Sequence, residues 1–134
     1  MPDKKNSIVN TRVIIIQKLY GKFFNNDEVL TFPKHRFKKF IKDIVKGTIE
    51  RNELILNELN TKLGDDFVFE NLDKVFQTIL KAATYEFMYK PQLSLNIIIK
   101  EYLNSSNFFL ENSQTKYLNA LLDNVGKKLR SKNA

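Results

Sequence analysis

Residues 72–90 read LDKVFQTILKAATYEFMYK, and the spacing of their apolar positions decides the fold. Leu72, Val75, Phe76, Ile79, Leu80, Ala83, Phe87 and Met88 recur every three or four residues, the period that turns one face of an α-helix toward a core. No alternating strand pattern competes with it. The acids Asp65, Asp66, Glu70 and Asp73 lead into the segment, where the positive end of the helix dipole favours negative charge. Pro91 ends the helix near Lys90, because proline disfavours the helical conformation of the residue before it.

The same period extends in both directions. Ile8, Val9, Val13, Ile16, Leu19, Tyr20 and Phe23 predict a first helix over about 6–24. Phe37, Phe40, Ile41, Ile44, Val45, Ile49, Ile55 and Leu59 predict one long second helix. Pro33 would sit in its first turn, where a missing N–H costs nothing, and Gly64 would stop it. Two more helices follow. Ile98, Ile99, Tyr102 and Leu103 come after the candidate cap Ser94, and Tyr117, Leu118, Leu121, Leu122, Val125 and Leu129 come after Ser113. The expected architecture is all-α, a compact bundle of about five to seven helices in a single domain over 1–134. A chain of this length buries roughly two-thirds of its unfolded surface, enough for a real core.

Several chemistries lack the residues they need. Without cysteine there are no disulfides, zinc–thiolate clusters or thiol nucleophiles. The single histidine, His35, stands between Lys34 and Arg36 and reads as a surface residue rather than part of a catalytic triad. Asp65, Asp66, Glu70 and Asp73 lack the spacing and central glycine of a calcium loop, and they read as helix-start acids. Gly21, Gly47, Gly64 and Gly126 are too far apart to form a phosphate-cradling loop. No catalytic residue, metal or cofactor is therefore expected. The apolar run Val13–Ile16 falls far short of the roughly 20 residues that cross a bilayer, so a cytoplasmic protein without membrane contact is expected.

Charge is uneven along the chain. Residues 1–46 hold eleven Lys/Arg against four acids, 47–89 four against eight, and 90–134 seven against three. Basic ends around an acidic middle suit an anionic partner such as nucleic acid. A solvated surface fits equally well, since eighteen of the 22 basic residues are lysine in a chain crowded with Asn and Ile, as in an A+T-rich genome.

Three segments, in order, resemble the NusB family of bacterial transcription antitermination factors. Thr11-Arg12-Val13-Ile14-Ile15-Ile16-Gln17-Lys18-Leu19-Tyr20 resembles the family's opening helix. Leu80-Lys81-Ala82-Ala83-Thr84-Tyr85-Glu86, followed by Pro91, is similar to its Leu-Arg-x-Ala-x-Tyr-Glu signature. Tyr117-Leu118-Asn119-Ala120-Leu121-Leu122-Asp123 is close to its Phe-Val-Asn-Gly-Val-Leu-Asp. Their order and separations agree over nearly the whole chain.

The resemblance implies two three-helix sub-bundles and a binding function. The expected ligands are the single-stranded boxA element of ribosomal RNA operons and the ribosomal protein NusE, held within the RNA polymerase antitermination complex with other Nus factors. Arg12 matches an arginine of the family's RNA-binding segment, and Lys4 and Lys5 lie in the same region. Lys116 and Tyr117 match a Lys-Phe pair, and a tyrosine ring stacks on an unpaired base as phenylalanine does. Tyr20 and Glu86 match positions that face NusE. The open alternatives are a core position beside Leu118 and Leu121 for Tyr117, the end of the first helix's buried stripe for Tyr20, and a solvated charge for Glu86. The sequence departs from the family in its Lys-rich, Arg-poor opening segment, in Lys100 for Asn, and in Ala120 for Gly.

Two other classes compete. NusB-like domains also occur fused to ribosomal RNA methyltransferases, but no cofactor-binding βαβ pattern is present before Ala134. A protein-interaction bundle anchored on Tyr20, Phe23 and Phe24 would ignore RNA altogether. The same exposed face would equally serve a second copy of the chain, making a homodimer.

Overall fold

The computed structural model describes residues 4–25, 27 and 29–131, with the backbone alone for 4–10. Six helices follow one another: α1 (Lys4–Phe24), α2 (Lys38–Glu50), α3 (Asn52–Leu63), α4 (Lys74–Tyr89), α5 (Leu95–Ser106) and α6 (Asn112–Arg130), with one 3-10 turn at Phe69–Asn71. No strand occurs among the described residues. The all-helical architecture expected from periodicity is the one observed.

The helix α4 is the spine. It packs against all five others, while α1 lies on α2 and α5, and α6 lies on α3 and α5. Every residue from Thr78 to Phe87 is consequently buried, polar ones included. The hydroxyls of Thr78 and Thr84 donate to the carbonyls of Lys74 and Leu80 at 2.9 and 2.7 Å, so each polar atom is satisfied within its own helix. Asp73 caps the first turn by accepting from the N–H groups of Val75 and Phe76. At the other end, Lys90 closes the helix as Pro91 requires.

Arg130, at the end of α6, fastens that other end. Its guanidinium donates to the carbonyls of Phe87 (3.1 Å), Leu93 (2.6 Å) and Lys90 (3.0 Å). These lie in the last turn of α4 and the loop beyond, where helix geometry leaves carbonyls without partners.

Three boundaries differ from expectation. Pro33 does not open a helix. Residues 29–35 form neither helix nor strand, with Leu30 and Phe32 half-buried against the core and Thr31 and Pro33 exposed. The long second helix is in fact two, broken at Arg51 (φ −106°, ψ 24°). Ile41, Ile44 and Val45 of α2 are buried where α2 meets α1 and α4, whereas Ile55 and Leu59 of α3 are buried where α3 meets α4 and α6. One straight helix does not reach both places. Finally, α6 starts before Ser113: Glu111 and Gln114 form a reciprocal capping box, and the Glu111 N–H donates to Gln114 Oε1 at 3.0 Å. Ser94 caps α5, accepting from the Ile97 N–H, and Gly64 ends α3 at φ +88°, a conformation that favours glycine.

Candidate nucleic-acid interface

The helices α1 and α4 bring two of the expected site residues face to face. Arg12 and Glu86 meet in the core, 7% and 0% exposed. The guanidinium donates twice, Nε to Glu86 Oε2 at 3.2 Å and Nη2 to Oε1 at 2.7 Å, and the Tyr102 hydroxyl on α5 donates to Oε2 as well. The Phe40 ring lies 4.8 Å below the guanidinium. Burial works against the Arg12 charge, but Glu86, Tyr102 and Glu101 together outweigh it and hold the pKa above its usual value. Burial, reinforced by Glu86, pushes the Tyr102 hydroxyl well up.

Arg12 and Glu86, which the resemblance assigns to RNA and NusE, thus lie inside the helical frame. The physical reason lies in the register. Arg12 stands three, four and seven residues before Ile15, Ile16 and Leu19, and Glu86 three after Ala83, so both fall on the buried stripes of their helices. In this structure neither presents its charge to solvent, and together with Tyr102 they tie α1, α4 and α5 to one another.

Tyr117, Lys116 and Tyr20 are on the surface, toward the opposite end of α4. Tyr117, near the start of α6, is 47% exposed, with its ring 5.5 Å from Phe76. Lys116 beside it is exposed. Tyr20, near the end of α1, is 38% exposed and tilts against Phe24 at 5.1 Å. A groove of about 390 Å³ runs past Tyr20, bounded by Ile16, Gln17, Gly21, Val75 and Phe109. Phe76 precedes Glu86 by ten residues, or roughly 15 Å along the axis, so Tyr117 and Arg12 belong to separate regions. Lys4 and Lys5 open α1, and their side chains lie outside the described residues.

Sequence reasoning missed several members of the Tyr117 end. Phe108 is 64% exposed in the α5–α6 loop, and Lys74 sets its ammonium 5.1 Å from the ring of Phe24, a residue already singled out with Tyr20 and 40% exposed. The signal available for Phe108 was an aromatic pair, Phe108-Phe109, outside any helical stripe. Lys81 was read as part of a motif only. It is buried with its ammonium 4.0 Å from the Phe23 ring and 5.4 Å from Phe69, and burial lowers its pKa although Glu53 opposes the shift. The two departures from the family pattern are harmless to packing, since Lys100 and Ala120 are both exposed.

The arrangement is a rigid helical frame with exposed aromatic faces and ammonium groups at one end. Such faces stack unpaired bases while lysines meet phosphates. Among the described residues no helix is long and apolar enough to cross a membrane.

Comparison with known proteins gives concordant results. The family model described as the NusB family matches residues 9–127. The chain is 31% identical over 93 residues to the transcription antitermination protein NusB of Sphingopyxis alaskensis, an alignment covering 69% of this chain and 62% of that protein. It is 33% identical to the same-named protein of Novosphingobium aromaticivorans, covering 68% and 62%. The chain thus spans about three-fifths of the length of these relatives. The match to the Maricaulis maris protein, 25% identical, covers 89% of this chain and 85% of that protein. Among solved structures, T. maritima NusB superposes with a TM-score of 0.79 over 94% of each chain at 20% identity, which establishes a shared fold.

Proposed function

The chain belongs to the NusB family, and from that membership we propose that it is a transcription antitermination factor holding a boxA-type single strand of RNA together with NusE. In this reading it serves the RNA polymerase antitermination complex with the other Nus factors. The observation that carries the reading is the exposed Tyr117 ring with Lys116 beside it, at the position where the family signature has its Lys-Phe pair. Tyr117 stacks a base, while Lys116, with Lys4 and Lys5, meets phosphates. Tyr20 and the groove along it receive NusE. Arg12 and Glu86 act indirectly, by fixing α1 against α4.

The test is a titration of labelled boxA-like RNA with the protein, with and without NusE. Cooperative tightening is expected. Equal affinity for unrelated single strands in the presence of NusE sinks the boxA assignment. Replacing Tyr117 by Ala is expected to weaken RNA binding by ~1–3 kcal/mol, the usual worth of one stacked base. Unchanged mobility of the RNA with Lys116 and Tyr117 both replaced by Ala would favour a bundle that binds protein alone.

A further inference from the structure

A second charged surface lies away from the Tyr117 end and is not used by the function proposed above. It is centred on α2. Between residues 34 and 46 stand Lys34, Arg36, Lys38, Lys39, Lys42 and Lys46 against a single acid, Asp43. All six basic residues are exposed. Asp43 is engaged by the ammonium of Lys90, so its charge is locally offset. Lys38, Lys42 and Lys46 follow at intervals of four on one stripe, about 6 Å apart along the axis, on the scale of successive phosphates in a single strand.

The lysines border shaped surface rather than a flat face. One groove of about 560 Å³ is lined by Arg36, Phe37, Lys39, Phe40, Asp43 and Lys90. A second of about 260 Å³ is lined by Lys42, Lys46, Gly47, Glu50, Arg51 and Tyr85, and it shares Lys39 and Asp43 with the first, so the two are adjacent; Arg51 pairs with Glu50. One aromatic ring on this track is exposed: Phe37, with the Arg36 guanidinium 5.0 Å from its ring. Tyr85, at the floor of the second groove, is buried against Tyr89 at 4.9 Å.

We infer that the α2 face is a second nucleic-acid site, a track that binds the backbone of single-stranded RNA without reading its sequence. Ammonium groups in a row supply the phosphate contacts, and their charge makes binding fall with salt. The exposed Phe37 ring and the Arg36 guanidinium beside it offer a stacking surface to an unpaired base, which a duplex keeps occupied. The same features disfavour an acidic protein segment as occupant, because carboxylates gain nothing from exposed rings.

The test compares the full chain with its Lys39→Gln/Lys42→Gln/Lys46→Gln variant. All three positions are exposed, so an unchanged thermal melt is expected and verifies folding. Binding of labelled oligouridylate, followed by anisotropy across a salt series, is expected to weaken at least tenfold, with a salt slope smaller by about 2, or about 0.7 per lysine removed. Binding of a short boxA-like strand with NusE is expected to be the same for both proteins, which separates this site from the one proposed above. A loss confined to that short strand, with oligouridylate unaffected, overturns the inference. So does unchanged oligouridylate affinity and slope in the folded variant. Polyglutamate is the third probe. If it binds as tightly as oligouridylate, and Phe37→Ala weakens neither, the face belongs to an acidic protein and the inference fails.

Discussion

Glu86 is fully buried, and Arg12 and Tyr102 donate three hydrogen bonds to its carboxylate. Removing the charge while keeping the shape, by Glu86→Gln, leaves the Arg12 guanidinium buried without its counter-charge. A loss of about 3–5 kcal/mol in urea unfolding is expected, and most of it should return when Arg12→Met is combined with Glu86→Leu. The Tyr102 hydroxyl adds a pH dependence whose sign follows from its raised pKa. Folded, the phenol stays neutral above the ordinary value of 10.0, whereas the unfolded chain releases its proton there. Stability from this group is therefore complete below pH 10 and lost as pH rises beyond it. Thermal melts should fall more steeply above that pH than in the Tyr102→Phe variant, and parallel curves for the two proteins would remove Tyr102 from the account. The identities of Arg12 and Glu86 as special residues were legible in the motifs, although the resemblance assigned them to binding surfaces rather than to the core. Their pairing was not, because it depends on how α1 lies across α4, a property of no single segment.

Among the elements, the α2–α4 contact is the most demanding of shape. A Cβ on Gly47 would lie 2.2 Å from the Tyr85 ring, so the glycine sets how closely the two helices approach. Gly47→Ala improves helix propensity by ~1 kcal/mol and still overpacks the contact, which typically costs about 1–3 kcal/mol. A net lowering of the melting temperature is expected; a stabilised variant would mean that Tyr85 swings aside freely. Asp73→Ala, which removes the α4 cap, should cost about 1 kcal/mol, with α4 frayed at its first turn. The helices themselves could be read from their periods and caps, as Asp73, Gly64 and Ser94 demonstrate. The break at Arg51 could not be. Residues 38–63 hold no proline and keep a helical period through the junction, and only the different partners of α2 and α3 require the turn. Pro33 is ambiguous for a related reason: proline suits both a first helical turn and an irregular connection, and the packing of Leu30 and Phe32 against the core, a tertiary contact, accompanies the second.

At the scale of the whole molecule, the frame and the binding surface are separable, and linkage offers a way to separate them experimentally. A ligand that binds only the folded state at a hundred times its Kd adds about 2.7 kcal/mol, a rise of roughly 10 °C in melting temperature for a domain of this size. BoxA-like RNA with NusE should give such a rise over the chain with NusE alone. Glu86→Gln lowers the starting temperature, but its carboxylate is buried among α1, α4 and α5, so the rise should be retained once α1 is seated on α4. Tyr117→Ala leaves the starting temperature nearly unchanged, because the ring is half exposed, and should lose most of the rise. The reverse pattern, a rise abolished by Glu86→Gln and preserved by Tyr117→Ala, would place the Arg12–Glu86 pair in contact with the ligand. It would require α1 and α4 to part on binding, since no other motion exposes a carboxylate that lies between them.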